Sequence, residues 1–288
     1  MRKVAYYPGC SHNGTGKPFE VSLKRVFSHL GIELVEIPDW NCCGASSAHI
    51  WDEKLSHALP ARNLALAENI SDVVLTPCIA CYSRLFTTNE EMRKGKEIFA
   101  DVNSIISPLK YGGGVEVMNV VEFLWKEVGI PRISKEVRKR FDGKVFLAYY
   151  GCLLTRVTSG IPYDDPENPS SMEEIIQTTG AYSPDWSYKM KCCGASLALI
   201  KESIGMDFSN LVLKAAQEMK ADAIITACPL CQLNLDFLQI KLGELKAHRF
   251  NIPILFITEL LATSFGLDLP VGILKSHFVD PRPILGGV

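Results

Sequence analysis

The sequence lacks the features that would point to nucleic acid, to a membrane or to export. Its 288 residues carry 30 basic and 32 acidic side chains, a net charge of −2, which gives no electrostatic reason to bind nucleic acid or anionic lipid. No stretch approaches the ~18 apolar residues of a membrane span, and the best candidate, 252–267, contains Glu259. The first residues are typical of a strand rather than a signal peptide, so we expect a cytoplasmic protein without a direct membrane span.

Motifs for flavin or nucleotide binding are also missing. Gly9 to Gly14 have the glycine spacing of a phosphate-binding loop, but Thr15 stands where that loop requires lysine. The glycines at 112–114 begin no Gly-x-Gly-x-x-Gly pattern. We therefore expect no flavin or nucleotide in this chain.

Cysteine, by contrast, is abundant. The chain has ten: Cys10, Cys42, Cys43, Cys78, Cys81, Cys152, Cys192, Cys193, Cys228 and Cys231. An even number could form five disulfides in a secreted protein. In the cytoplasm a cysteine array more often binds metal or carries out redox chemistry.

The cysteines follow a tandem repeat. The segment 4–10, which ends in Cys10, reappears as 147–152, and Asn-Cys-Cys-Gly-Ala-Ser at 41–46 reappears as Lys-Cys-Cys-Gly-Ala-Ser at 191–196. The strand-like run that ends in Cys-x-x-Cys at 72–81 reappears at 222–231. In both halves 34 residues separate the Cys-Cys pair from the Cys-x-x-Cys motif. Each half therefore holds five cysteines, and none is left over.

Each half reads as alternating strands and helices. Strands are predicted at 3–7, 32–37, 72–76, 144–150, 222–226 and 253–257, and helices at 18–30, 54–69, 171–179, 197–220 and 230–246. This order predicts an α/β fold of two pseudo-symmetric domains with mainly parallel sheets. We place the domains at 1–140 and 141–288. The segments 90–116 and 162–169 are predicted to be surface loops or partner contacts, and 267–288 to be an extended arm that is disordered or docked on a partner.

The predicted strands bring the cysteines together. Cys10, Cys78, Cys152 and Cys228 each come just after a strand, at the sheet edge where α/β proteins bind ligands. Each Cys-x-x-Cys motif should open a helix, whose amino end favours thiolate over thiol. The Cys-Cys pairs need a tight turn, which the following glycine allows.

Three kinds of site remain open on these observations. Structural zinc takes four ligands and would leave one cysteine spare in each half. Metal-free dithiol chemistry at the Cys-x-x-Cys motifs would leave the other three cysteines of each half unexplained. Iron–sulfur clusters are favoured, because they take thiolate ligands and a fifth cysteine fits an unusual cluster.

The pattern Cys-x31-Cys-Cys-Gly followed by Cys-x-x-Cys in the first half, which returns in the second half with 39 residues in place of 31, resembles the CCG domain. Two such domains in a chain of this length resemble the B-type subunit of heterodisulfide reductase, over about residues 1–262. The resemblance implies two non-cubane [4Fe-4S] clusters that face each other in the cleft between the halves. The first would be held by Cys10, Cys42, Cys43, Cys78 and Cys81, and the second by Cys152, Cys192, Cys193, Cys228 and Cys231.

The resemblance also implies a reaction and partners. A disulfide would be reductively cleaved, or formed, between the clusters, each supplying one electron and capturing one sulfur. The electrons would come from a ferredoxin-like iron–sulfur subunit and, behind it, a flavin-containing subunit, and the complex could meet the membrane through such partners. The substrate would be a small disulfide or thiol, or a protein-bound sulfur carrier.

One departure from the family pattern concerns the substrate. The methanogen enzymes have Cys-Cys-Pro in the first motif, whereas both motifs here read Cys-Cys-Gly-Ala-Ser. The chain therefore resembles the bacterial and sulfur-metabolism relatives more closely, and the methanogen coenzyme pair is not implied as its substrate.

Two other functions stay open. One is an electron relay between a cytoplasmic redox complex and a membrane quinone pool, and the other is a zinc-stabilised interaction module.

Four residues near the cysteines are candidates for supporting roles. His12 and His49 are candidate proton donors to product thiolates, because histidine titrates near neutral pH. Lys191 and Arg156 are candidates for holding an anionic substrate, with an ordinary exposed basic residue as the alternative for each.

Overall fold

A computed structural model describes residues 1–45, 48–95, 97–156, 160–198, 200–246 and 250–286. The strands are β1 (Arg2–Tyr6), β2 (Ile32–Glu36), β3 (Val73–Thr76), β4 (Glu116–Asn119), β5 (Phe146–Tyr149), β6 (Ala223–Thr226) and β7 (Ile254–Phe256). The helices are α1 (Lys17–His29), α2 (Ala48–Trp51), α3 (Glu53–Ala67), α4 (Ile79–Arg93), α5 (Ile98–Ile105), α6 (Val120–Glu122), α7 (Ile130–Glu136), α8 (Ser171–Thr178), α9 (Ala195–Ala198), α10 (Glu202–Glu218), α11 (Pro229–Lys246), α12 (Ile257–Ser264), α13 (Val271–Leu274) and α14 (Arg282–Leu285). A 3₁₀ turn spans Cys10–Asn13 and a π-helix spans Phe123–Val128.

Two parallel sheets carry the fold. The first has the strand order β2-β1-β3-β4, and the second has the order β5-β6-β7. Every pairing between these strands is parallel. The predicted α/β class with parallel sheets is therefore confirmed, and the carboxyl ends of neighbouring strands share one edge in each sheet.

The predicted elements form for local reasons. Helix α1 buries Phe19, Leu23 and Val26 at helical spacing, has Pro18 in its first turn, and is followed by Gly31 at φ +70°. Strand β3 is a run of four buried residues that needs cover on both faces, as parallel strands do. All six predicted strands and four of the five predicted helices are present with ends that differ by at most two residues. The predicted helix 197–220 forms as α10, which begins at Glu202 after the separate short helix α9.

The prediction of a surface loop at 90–116 was wrong. Helix α4 runs to Arg93, and α5 follows it. Phe99, Val102 and Tyr111 are buried in an apolar cluster beneath the first sheet. The segment then enters β4, which pairs with β3 and was not predicted. The three adjacent glycines before this short strand hid it, because glycine runs are typical of loops.

The prediction of an extended arm after residue 267 was also wrong for the part that the structure describes. Leu274 and Leu285 are buried against the protein's own core. His277 lies with its side chain fully buried between two carboxylates: its Nε2 is 2.9 Å from Oε1 of Glu259 and its Nδ1 is 3.7 Å from Oδ2 of Asp236. The segment is therefore fastened to α11 and α12 by charge as well as by apolar contact.

The apolar stretch 252–267 folds as β7 and α12 rather than as one long helix. Glu259 faces inward, where its Oε2 accepts a hydrogen bond of 2.9 Å from the backbone N–H of Phe256. Among the residues described, no helix is long and apolar enough to cross a membrane.

The two halves exchange helix contacts. Helix α1 of the first half packs on α12 of the second. Beside this contact the ring of Phe19 stacks on that of Phe256, the last residue of β7, with centroids 4.5 Å apart. Helix α8 of the second half packs on the π-helix of the first, where Trp125 Nε1 donates to Glu174 Oε2 at 2.8 Å. One apolar cluster consequently runs through both sheets. The division at residues 140 and 141 stays a prediction.

Candidate metal centres

The first cysteine set lies at the carboxyl edge of the first sheet. Strand β1 leads to Cys10 at the start of the 3₁₀ turn, and β3 leads to Cys78 at the amino end of α4. In the first turn of α4, Cys81 places its Sγ 3.2 Å from Sγ of Cys43. Cys10 and Cys42 are exposed and the other three are buried, so this set reaches the surface on one side.

The second set repeats this arrangement at the edge of the second sheet. Strand β5 leads to Cys152, and β6 leads to Cys228. Sγ of Cys193 lies 3.7 Å from Sγ of Cys231, the counterpart of the contact in the first half. The backbone N–H of Cys231 donates to Sγ of Cys228 at 3.4 Å. The Cys-x-x-Cys sulfurs thus lie at a helix amino end in both halves, as predicted.

The Cys-Cys-Gly motif makes a tight turn that turns its first sulfur back toward the backbone. The N–H of Gly44 donates to Sγ of Cys42 at 3.4 Å, and the N–H of Gly194 donates to Sγ of Cys192 at 3.3 Å. Both glycines have positive φ, +77° and +85°. Glycine is required there because a side chain would be strained at that φ.

A second pair of glycines leaves space around the inner sulfurs. A Cβ on Gly9 would lie 3.0 Å from Sγ of Cys81, and a Cβ on Gly151 would lie 3.1 Å from Sγ of Cys231. Both glycines have φ near +70°. The strand-to-cysteine turns are therefore built so that no side chain crowds these two buried thiols.

Buried tyrosines hold the Cys-Cys turns in place and correct the predicted alignment of the repeat. Tyr7 Oη donates to the carbonyl oxygen of Asn41 at 2.8 Å, and Tyr149 Oη donates to that of Lys191. Tyr7 is thus the counterpart of Tyr149, so the segment 4–10 matches 146–152 residue for residue rather than the shorter 147–152.

The second cysteine set lines a cavity of ≈ 60 Å³ between the halves. All five of its cysteines contribute, together with Leu153 and Leu230. Across the cavity stand Ile79 and Ala80, the two residues inside the Cys-x-x-Cys motif of the first half. The two motifs therefore meet at one cleft.

The thiols in each set share protons. A hydrogen bond from the Cys81 thiol lowers the pKa of Cys78 to about 6, although burial opposes this. Hydrogen bonds from the thiols of Cys152 and Cys193 lower the pKa of Cys192 to about 2. The pKa of Cys81 is raised, because its thiol is hydrogen-bonded to Cys43 and to Cys78 and is buried. Hydrogen bonds between the thiols thus favour thiolate within each set, and metal binding would remove the remaining protons.

The donor atoms of the two cysteine sets have the chemistry that an iron–sulfur cluster requires. Among the described residues, no group of three or more His, Cys, Asp or Glu side chains is arranged to hold a metal ion. The side chains that converge are all sulfur, which suits clusters. The side-chain-free turns at Gly9 and Gly151 leave Cys81 and Cys231 open on that side. The residues present therefore fit the cluster that the sequence predicts at each set.

The two histidines are placed differently from the cysteines. His12 is almost fully buried beside Phe19, with no hydrogen-bond partner for either ring nitrogen among the described residues. Burial lowers the pKa of His12 to about 4, so the imidazole is neutral at pH 7. Its role as a proton donor stays a prediction, and a neutral buried ring does not favour it. The backbone of His49 lies in α2, and its side chain is outside the described residues.

The two basic residues are not brought together. Arg156 binds the loop that follows it, through the carbonyl oxygen of Pro166 and the carboxylate of Glu167. Lys191 is exposed, and its backbone carbonyl receives the tyrosine hydrogen bond described above. A role for either in holding an anion stays a prediction.

Sequence reasoning missed a buried polar group behind the cleft. Tyr150 lines the cavity, and its hydroxyl donates to the buried carboxylate of Glu173. Lys189, also buried, lies 3.3 Å from Glu173 and 2.7 Å from Asp185. The only sequence signal was the tyrosine before Gly151 and Cys152, because Glu173 lies 23 residues after that tyrosine and Lys189 a further 16 residues along the chain.

Comparison with known proteins agrees with this geometry. A family model for the cysteine-rich CCG domain matches residues 4–86 and again 146–236. The B-type subunit of a ferredoxin:CoB-CoM heterodisulfide reductase from Methanosarcina mazei is 31% identical over 93% of this chain and 91% of its own length. The 8-methylmenaquinol:fumarate reductase membrane anchor subunit of Wolinella succinogenes is 29% identical over 97% of this chain and 98% of its own. The resemblance thus extends beyond the methanogens, as predicted.

One solved structure supports the fold. The crystal structure of a hypothetical protein from Helicobacter pylori superposes with a TM-score of 0.76 at 16% identity, over 97% of this chain and 52% of that one. At that identity the likeness shows the fold alone.

Fold and site together define a tandem cysteine-rich-domain redox protein. The domain is one of iron–sulfur proteins, and the relatives are subunits of oxidoreductase complexes, so this chain is an electron-transferring iron–sulfur subunit of such a complex. The chain belongs to the family of heterodisulfide reductase B-type subunits.

Proposed function

We propose that this chain is the catalytic subunit of a heterodisulfide-reductase-like complex. It holds one non-cubane [4Fe-4S] cluster on each five-cysteine set and cleaves or forms a disulfide in the cleft between them. One observation carries the proposal: the cavity lined by all five cysteines of the second set is also lined by Ile79 and Ala80, inside the Cys-x-x-Cys motif of the first. A substrate sulfur in this cleft would contact the second set directly and lie beside the Cys-x-x-Cys turn of the first.

The reaction needs two electrons and two protons. Reduction breaks the S–S bond, takes two electrons from an iron–sulfur partner protein and two protons from water, and leaves two thiols. Two one-electron clusters, when bound, supply the electron pair without a flavin in this chain. The reverse reaction joins two thiols and returns the electrons to the partner.

The protein's own residues favour negative charge on the sulfurs in the cleft and limit the access of water. The amino ends of α4 and α11 point at the cysteine sets and favour negative charge on sulfur. Ile79, Leu153 and Leu230 make the wall of the cavity apolar, which keeps water from competing for the sulfurs. Glu173 fixes the Tyr150 ring in the same wall.

The partners follow from this function. A ferredoxin-like iron–sulfur subunit would deliver the electrons, and a flavin-containing subunit would feed it. The sulfur substrate would be a small disulfide or thiol, or a protein-bound sulfur carrier. We place the complex in the cytoplasm, with any membrane contact made through partners.

A second function has a specific observation in its favour. The Wolinella succinogenes relative matches this chain almost end to end and is named as the anchor subunit of a menaquinol-linked reductase. In that alternative the same clusters relay electrons between a cytoplasmic redox complex and a quinone pool, and no disulfide is cleaved.

Metal analysis tests the clusters, and spectroscopy then separates the two functions. Anaerobically purified protein should contain about four irons and four sulfides per half. About one zinc per half without sulfide would overturn the proposal. A thiol substrate should then alter the paramagnetic resonance spectrum of the oxidised protein. If no thiol of low molecular weight alters that spectrum, the relay is the better description.

A further inference from the structure

An apolar groove adjoins the cysteine-lined cavity of the second half. It has a volume of ≈ 420 Å³ and lies between α9 and α11. We use the name apolar groove for the space lined by Ala195, Ala198, Leu230, Leu233, Phe237 and Leu238. Its volume is in the range of small-molecule sites. The proposed reaction takes place in the cysteine-lined cavity and does not require this groove.

The groove and the cavity share two wall residues. Ala195, just after the Cys-Cys-Gly turn, and Leu230, inside the Cys-x-x-Cys motif, line both spaces. A molecule with its sulfur at the cysteines could therefore extend along α11 into the groove. Leu230 is also 44% exposed although it is a large apolar side chain, so it offers apolar surface to such a molecule.

The groove has walls and a rim formed by specific side chains. Phe278, from the C-terminal segment, closes one side and packs on Phe237 with ring centroids 5.0 Å apart. At the rim Lys241 pairs with Glu202 and lies over the Phe237 ring at 5.2 Å. Among the described residues that line the groove, Glu202 alone is charged, and Lys241 neutralises it. The interior therefore selects for an uncharged apolar group.

The groove also distinguishes the two halves. Asn234, in the side wall of the groove, is hydrogen-bonded to the Cys-Cys-Gly turn, because its amide donates to the carbonyl oxygen of Cys193 at 2.7 Å. In the first half the positions that match Leu230, Leu233 and Phe237 hold Ala80, Ser83 and Thr87, which are smaller or polar. A substrate with one apolar arm would therefore bind in a single orientation.

We propose that the apolar groove binds the apolar arm, aliphatic or aromatic, of a thiol or disulfide substrate whose sulfur lies at the second cysteine set. The inference rests on the proposed function for its substrate class. The groove itself can be tested without that function.

Chain-length series on the anaerobic holoprotein test the proposal. Dissociation constants are measured by calorimetry for 1-alkanols and n-alkanethiols of two to eight carbons. Each methylene buried in the groove should raise the affinity about fourfold until the groove is full. Affinities that do not change with chain length in either series would overturn the proposal.

Variants then locate the binding. Leu233→Asn and Phe237→Asn should each reduce the gain per methylene at least twofold while leaving the two-carbon probes unchanged. Ile240→Asn is the matched control, because Ile240 lies on α11 but outside the groove. Circular dichroism and iron content identify a variant that has failed to fold. Two folded groove variants with the full wild-type gain would place the apolar binding elsewhere and overturn the proposal.

The two proposals fail in different ways. If alkanols bind in the groove and no thiol alters the paramagnetic resonance spectrum, the groove is present and the disulfide chemistry is wrong, which removes the sulfur substrate from this inference. If short thiols alter the spectrum and chain length has no effect, the chemistry holds and the groove proposal is wrong.

Discussion

The turn at Gly9 gives the sharpest test of the first metal centre. Gly9 has φ +71° and ψ 166°, a region that only glycine occupies readily, and an added Cβ would lie 3.0 Å from Sγ of Cys81. Gly129 is the matched control: it has φ +82° and ψ 144°, and the nearest atom to its added Cβ is an ordinary contact at 3.8 Å. Alanine should therefore strain both backbones similarly and crowd a sulfur at only one.

The expected magnitudes separate strain from metal binding. Such a backbone costs alanine about 1–3 kcal/mol, so Gly9→Ala and Gly129→Ala should lower the free energy of unfolding by comparable amounts. At Gly9, Cys81 must also move, so the first site should lose its iron while the second keeps its own. Gly151→Ala should do the reverse, since its Cβ meets Cys231 at 3.1 Å.

The assay is iron and acid-labile sulfide per chain after anaerobic purification, together with denaturant unfolding. We expect about half the wild-type iron in Gly9→Ala and the full amount in Gly129→Ala. If both variants keep the full amount of iron, the reasoning is refuted, because the sulfur contact then has no bearing on the site. If both variants lose the same amount of iron, the reasoning is also refuted, because backbone strain alone then empties the site.

Two further predictions concern the cysteines and the buried C-terminal segment. Cys43→Ala and Cys193→Ala should each remove about half of the iron, and loss of all iron from a folded variant would contradict two independent sites. Although desolvation lowers the pKa of His277, the charges of Glu259 and Asp236 raise it above its ordinary 6.5 overall. The imidazolium should therefore stabilise the fold fully below pH 6.5 and lose this effect as pH rises through the raised pKa. The difference in unfolding free energy between wild type and His277→Gln should shrink over that range, and a difference that grows with pH would contradict the assignment.

The sequence predicted what is local and repeated. The strand-to-cysteine steps at Cys78 and Cys228 each lie within a few residues of the strand that positions them, so period and spacing were enough. Because the motifs are local, the two sets of five cysteines could be recognised in the sequence. The order of the motifs therefore predicted which cysteines come together, and the assignment of each cysteine as a metal ligand stays a prediction.

What was missed depends on contacts between distant parts of the chain. His277 lies 41 residues after Asp236, so no local sequence pattern could show that the C-terminal segment folds back onto α11. The same is true of the apolar groove, which needs Phe278 beside Phe237. Strand β4 was missed for a different reason: four residues after a glycine run are too short for a periodic signal.

The exchange of helices between the halves has a consequence for what one half can do by itself. Each half supplies a helix to the other and receives one in return, through the Phe19–Phe256 and Trp125–Glu174 contacts. The two helix pairings, α1 on α12 and α8 on the π-helix, are related as the two sides of an isologous dimer interface are. A single repeat expressed alone would leave both surfaces uncovered, and a second copy could cover them only by two-fold pairing. The present chain thus resembles such a dimer whose subunits have been joined end to end, with the apolar groove in the second of them.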